Sequence, residues 1–166
     1  MIEEKNTNQT GKIVDAVGSS TFDIFNTMLS MEVNIDPASK PSFLPVEKDS
    51  VSGDICGIVG IGGKMTGAIA ILVNEKVGIK IASQLLEENI TEVNEDVLGS
   101  IGEMTNMIAG GIKTALTEDE DLFELAIPIV IRNEEKIIHH LNDKCRVLTI
   151  PFLLENDTFF VKIYLL

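Results

Sequence analysis

Two apolar runs, residues 51–62 and 65–73, meet at Gly62-Gly63-Lys64. Ala, Ile and Val fill both runs, and the glycines permit the positive φ of a tight reversal. The pattern predicts a β-hairpin. A hairpin needs its apolar face covered, and helical periodicity lies on both sides of it. Over residues 13–31, Val14, Val17, Thr21, Ile24 and Met28 step by three and four, with Phe25 and Leu29 widening the stripe. Beyond the hairpin, Asn74 is placed to cap a helix over 75–88 that lines Val77, Ile81 and Leu85 on one face. Asn94-Glu95-Asp96 opens another helix, to about Leu116, with an amide cap and acids in its first turn.

Further on, Phe123, Leu125, Ile127, Ile129 and Ile131 alternate with Glu124, Ala126, Pro128, Val130 and Arg132, which is strand period. Pro128 lacks an N–H and should place this strand at a sheet edge or a bulge. Strands over 147–154 and 158–166 flank the turn Glu155-Asn156-Asp157. Pro37, Pro41 and Pro45 make 36–45 a loop. Residues 1–11 read as a flexible N-terminal tail, and 12–166 as one domain. The expected class is α+β, a largely antiparallel sheet with long helices packed on one face.

A chain of 166 residues can bury about 70% of its unfolded surface, enough for a full core without staples. Thirteen basic residues against 26 acidic ones leave a formal charge of −13. Such a chain is a poor match for phosphate backbones or anionic lipid, so neither nucleic acid nor membrane is an expected partner. Cys56 and Cys145 have no second cysteine at metal-ligand spacing and read as buried, reduced thiols of a reducing compartment. The start, Met1-Ile2-Glu3-Glu4-Lys5-Asn6, is polar and acidic, unlike a signal peptide, and the apolar stretch 67–73 is too short for a bilayer. The expectation is a cytoplasmic protein.

A shift of 80 positions lays the first helix on the third: Val17 on Val97, Ser20 on Ser100, Asp23 on Glu103 and Asn26 on Asn106. Each of these helices is followed at some distance by a hairpin, which suggests duplicated helix-plus-hairpin halves. On the third helix, Val97, Ile101, Met104, Ile108, Ile112 and Ala115 form the stripe expected to be buried. Gly99, Glu103, Asn106, Gly110 and Lys113 form a second stripe pointing elsewhere. Gly99, Gly102, Gly110 and Gly111 also share this helix. Each interior glycine costs about 1 kcal/mol relative to alanine, so an offsetting gain is expected. Either the glycines admit a neighbouring backbone and the polar pair is a solvated face, or they clear room around a presented carboxylate and amide. A carboxamide can hold a water by donating and accepting hydrogen bonds, and so align it for attack on a phosphoryl group.

The run Val97-Leu98-Gly99-Ser100-Ile101-Gly102-Glu103-Met104-Thr105-Asn106-Met107-Ile108-Ala109-Gly110 resembles the signature helix of the CheC/CheX phosphatases of bacterial chemotaxis. The likeness extends to Ile58-Val59-Gly60-Ile61-Gly62-Gly63-Lys64-Met65-Thr66-Gly67, similar to that family's glycine-marked hairpin, to Ala82-Ser83-Gln84-Leu85-Leu86, and to Pro128 after the signature. The resemblance implies a CheC-like α+β fold and hydrolysis of the aspartyl phosphate of the response regulator CheY. It implies that Asn106 positions the attacking water and that Glu103 pairs with a lysine beside the phosphorylation site. Ser100, Gly99, Gly110 and Lys113 would then line the partner-binding surface. The resemblance further implies that Mg²⁺ belongs to the phosphorylated receiver domain, with no cofactor or metal in this chain. Gly99 stands where the family often has Asp or Ser. The first helix carries Asp23 and Asn26, crowded by Phe22 and Phe25, as a degenerate second site. With one full pair, the chain looks nearer to CheX, which implies a homodimer.

Other patterns carry less. His139 and His140 are adjacent and read as a polar turn, and residues 117–121 as an acidic loop. Ser19, Ser20 and Ser100 have no histidine at informative spacing, and no Gly-Lys-Ser/Thr run opens a helix. The alternatives to a phosphatase are a non-catalytic module that binds a receiver domain or flagellar-switch protein through the same helix, and a small-molecule binding domain.

Overall fold

The computed structural model describes residues 2–117, 122–132 and 144–166. His139, His140 and most of the acidic run 117–121 lie outside these residues. Among the described residues there are three α-helices: α1 (Ile2–Leu29), α2 (Glu75–Leu86) and α3 (Glu95–Leu116). The strands are β1 (Asn34–Ile35), β2 (Phe43–Pro45), β3 (Ile55–Gly63), β4 (Gly67–Val73), β5 (Phe123–Leu125), β6 (Ile129–Arg132), β7 (Arg146–Leu154) and β8 (Asp157–Leu165). Both expected caps form: the Asn74 side chain accepts from Val77 N–H at 2.8 Å, and that of Asn94 from Val97 N–H at 3.1 Å.

The strands make one antiparallel sheet in the order β1-β7-β8-β4-β3-β5, with β2 also beside β7 and β6 also beside β3. Each half of the chain runs helix, two short strands, hairpin: α1, β1, β2, β3–β4, then α3, β5, β6, β7–β8. The hairpins join through β4 and β8. The short strands are exchanged, since β1 and β2 border the second hairpin and β5 and β6 the first. This arrangement matches the expected duplicated halves.

The helices cover one face of the sheet. Phe25 of α1 stacks on Phe159 at 4.9 Å between ring centroids, and Phe159 on Phe152 at 5.3 Å. On the opposite face Val46, Cys56, Ala70, Leu72, Cys145, Val147 and Tyr164 form a smaller cluster. The segment after β2 lies against it and is held by a buried ion pair, Lys162 Nζ to Asp49 Oδ2 at 2.7 Å. Lys162 also donates to Val51 O. No helix is long and apolar enough to cross a membrane among the described residues.

Several local expectations are corrected. Residues expected as a loose tail are helical from Ile2 onward. A helix already anchored by packing extends through polar residues at little cost, without an apolar stripe to announce it. The buried face of α1 centres on Val17, Thr21, Phe25 and Leu29, whereas Met28 is 46% exposed. The aromatic stack turns the helix toward Phe25. The loop 36–45 ends in β2, and the first long strand starts at Ile55 rather than 51. The strand expected over 123–132 is broken in two. Ile61 pairs with Leu125 and Ile58 with Ile129, so three residues of the outer lane span two of β3. That is a β-bulge at the sheet edge, where Pro128 sits and Ala126 N–H donates to Gly60 O at 2.9 Å.

Candidate functional site

Helix α3 packs on the sheet beside its sister helix α1. Ser20 of α1 meets Gly111, while Ile13 and Leu116 line one cavity, so α1 and α3 run antiparallel. Val97, Ile101, Met104, Ile108 and Ile112 are buried, as their stripe predicts, and Ala115 is exposed. Glu103 and Asn106, one turn apart, are both exposed on the outer side.

The glycines of α3 divide between both readings of them. A Cβ on Gly111 would stand 3.0 Å from Ser20 Cβ, and one on Gly102 would stand 3.2 Å from Val130 Cγ2. These two admit neighbours. Around Gly99 and Gly110 a Cβ would meet nothing within 4 Å. These two border the Glu103–Asn106 pair on either side along its stripe and keep the surface low there. The turn carrying the pair is fixed from below. Thr105 Oγ1 donates to Ile101 O at 2.6 Å and lies over Gly57 of β3.

Other candidates fall in different places. Ser100 is only 4% exposed, so its hydroxyl is not part of the outer face expected to bind a partner. Lys113 Nζ pairs with Glu124 Oε2 at 3.1 Å, an acid on β5 that no local pattern links to α3. Asp23 and Asn26 are exposed on α1, beside Phe22, with no glycine clearing the surface around them. Among the described residues no group of three or more His, Cys, Asp or Glu could hold a metal ion. An exposed carboxylate and amide on a convex helix can bind a complementary surface and orient a water. They do not enclose a small substrate.

The fold defines a class first. The chain is similar to a CheC-like superfamily protein from Shewanella sp. PV-4, with 24% identity, a TM-score of 0.75, and 93% of this chain and 97% of that one covered. It shares the CheC-like α+β architecture. A family model described as chemotaxis phosphatase CheX matches residues 55–153, and the chain belongs to that family. It is similar to the chemotaxis protein CheX of Desulfovibrio desulfuricans, at 26% identity and a TM-score of 0.77, over 93% of this chain and 99% of that one. It is also similar to CheX of Borrelia burgdorferi, solved in complex with CheY, BeF₃ and Mg²⁺, at 25% identity and a TM-score of 0.71, over 94% and 96% of the two chains. Comparison with curated proteins returns no match.

Proposed function

We propose that this chain hydrolyses the aspartyl phosphate of a CheY-like response regulator in the cytoplasm. The observation that supports this most is the exposure of Glu103 and Asn106 together on one turn of α3, bordered by the open positions of Gly99 and Gly110, in a member of the CheX family. Asn106 enters the partner's phosphorylated pocket and holds a water through its amide. The water oxygen forms a bond to phosphorus as the bond to the aspartyl oxygen breaks, releasing the carboxylate and inorganic phosphate. Glu103 pairs with a lysine beside the phosphorylation site and sets the docking register.

Gly99 and Gly110 let the partner approach the helix, and Lys113, held by Glu124, borders the contact. Mg²⁺ comes with the receiver domain, in keeping with the Borrelia complex of CheX with CheY, BeF₃ and Mg²⁺. Asp23 and Asn26 are a degenerate second pair, and the protein works as a homodimer. The deciding experiment adds the protein to a phosphorylated receiver domain with Mg²⁺ and follows phosphate release. Wild type should accelerate it, and Asn106→Ala should slow it about 100-fold or more, the scale of losing one group that acts on the transition state. Wild-type activity in that variant would remove the assigned role.

A further inference from the structure

Thr105 lies between Glu103 and Asn106 in sequence and is fully buried on the opposite side of the helix. Beneath it β3 carries Gly57, which is also buried. A Cβ on Gly57 would stand 2.1 Å from Thr105 Oγ1, 3.1 Å from Thr105 Cβ and 3.1 Å from Ile101 Cγ2. Rotating the Thr105 side chain to relieve the first contact gives up its hydrogen bond to Ile101 O, whereas the two 3.1 Å contacts need shifts of only a few tenths of an ångström. Gly57 pairs with Val130 of β6 across the sheet, and Val130 is the residue that a Cβ on Gly102 would meet. Residues 101, 102 and 105, on the turn that bears the polar pair, therefore rest on one rung of the sheet.

We infer that Gly57 is a positioning residue for the phosphatase reaction: with Thr105 it forms the stop that sets how deep this turn sits, and so where the Asn106 amide is held. The inference rests on the proposed phosphatase reading. Packed interiors transmit a displaced contact rather than absorbing it, and a shift of about 1 Å at a reacting group costs on the order of 100-fold in rate. Gly57→Ala should lift the turn, and removing the Thr105 branch should let it settle back.

The test measures kcat at saturating phosphorylated receiver for Gly57→Ala, Thr105→Ala, the double variant and Asn106→Ala, at a temperature where circular dichroism shows each folded. Gly57→Ala should lower kcat about 10- to 100-fold, and Thr105→Ala alone less than about threefold. The double variant should recover to within about threefold of wild type. Wild-type kcat in Gly57→Ala, or no recovery in the double variant, overturns the inference. If Gly57→Ala does not fold, Val130→Ile presses on Gly102 from the same rung, and wild-type kcat in that variant overturns it. Loss of activity in Asn106→Ala with an unaffected Gly57→Ala rejects only the stop. An unaffected Asn106→Ala removes the role assigned to that amide and the stop with it, and no acceleration by wild type rejects the phosphatase reading.

Discussion

Glu103 and Asn106 are neighbours for which separable duties are proposed, and their variants should part accordingly. Glu103→Lys places a like charge against the partner's lysine, and affinity for a beryllofluoride-loaded receiver should fall at least about tenfold, measured by titration. Affinity unchanged by this variant would show that the carboxylate does not dock. A different charge matters to stability. Lys162 is fully buried and its carboxylate partner Asp49 nearly so. Asp49→Ala leaves the ammonium without that counter-charge and should destabilise by about 3–5 kcal/mol in urea unfolding. The two carboxylates look alike in sequence, and only the fold shows that one meets solvent and the other meets Lys162. The exposure of Glu103 was legible because its spacing to Asn106 sets it on a stripe apart from the buried one. The burial of Asp49 was not, since its partner lies 113 residues away. Ser100 is buried with the stripe it adjoins: it stands three residues after Val97 and four before Met104, so helical spacing already turns it inward.

At the level of elements, the glycines of α3 give a contrast within one helix. Gly99→Ala fills open space and relieves the conformational cost of glycine, so it should stabilise by up to about 1 kcal/mol. Gly111→Ala must push against Ser20 and should destabilise. Thermal unfolding should separate the two by several degrees, with opposite signs relative to wild type. If Gly99 serves partner approach, its alanine variant gains stability while receiver affinity falls. The bounds of α2 and α3 were legible from caps and periodicity, because those signals are local. So were both hairpins, and the edge bulge at Pro128, though not the break of that strand in two. The short strands β1, just before the proline-marked loop, and β2, at its end, were hidden, since two- and three-residue strands exist only through pairing with distant β7. The rotation of α1 depended on a stack with Phe159 that no helical stripe reveals.

On the scale of the whole molecule, the sheet separates two apolar compartments, and both cysteines belong to the smaller one. Both are buried, and burial pushes the Cys145 thiol above its ordinary range. A higher thiol pKa leaves less thiolate at pH 8, and burial blocks the reagent. Iodoacetamide at pH 8 should therefore spare both cysteines in the native protein and label both after urea unfolding, as read by mass spectrometry. The order of the strands has a consequence for biosynthesis. β8, the last of the described strands in chain order, occupies the middle of the sheet between β7 and β4. A ribosome must finish residue 165 before the two hairpins can zip together, so the first hairpin emerges with its central neighbour still missing. Nascent chains stalled at Leu154 should remain open to protease, and resistance should arrive only once β8 has cleared the exit tunnel.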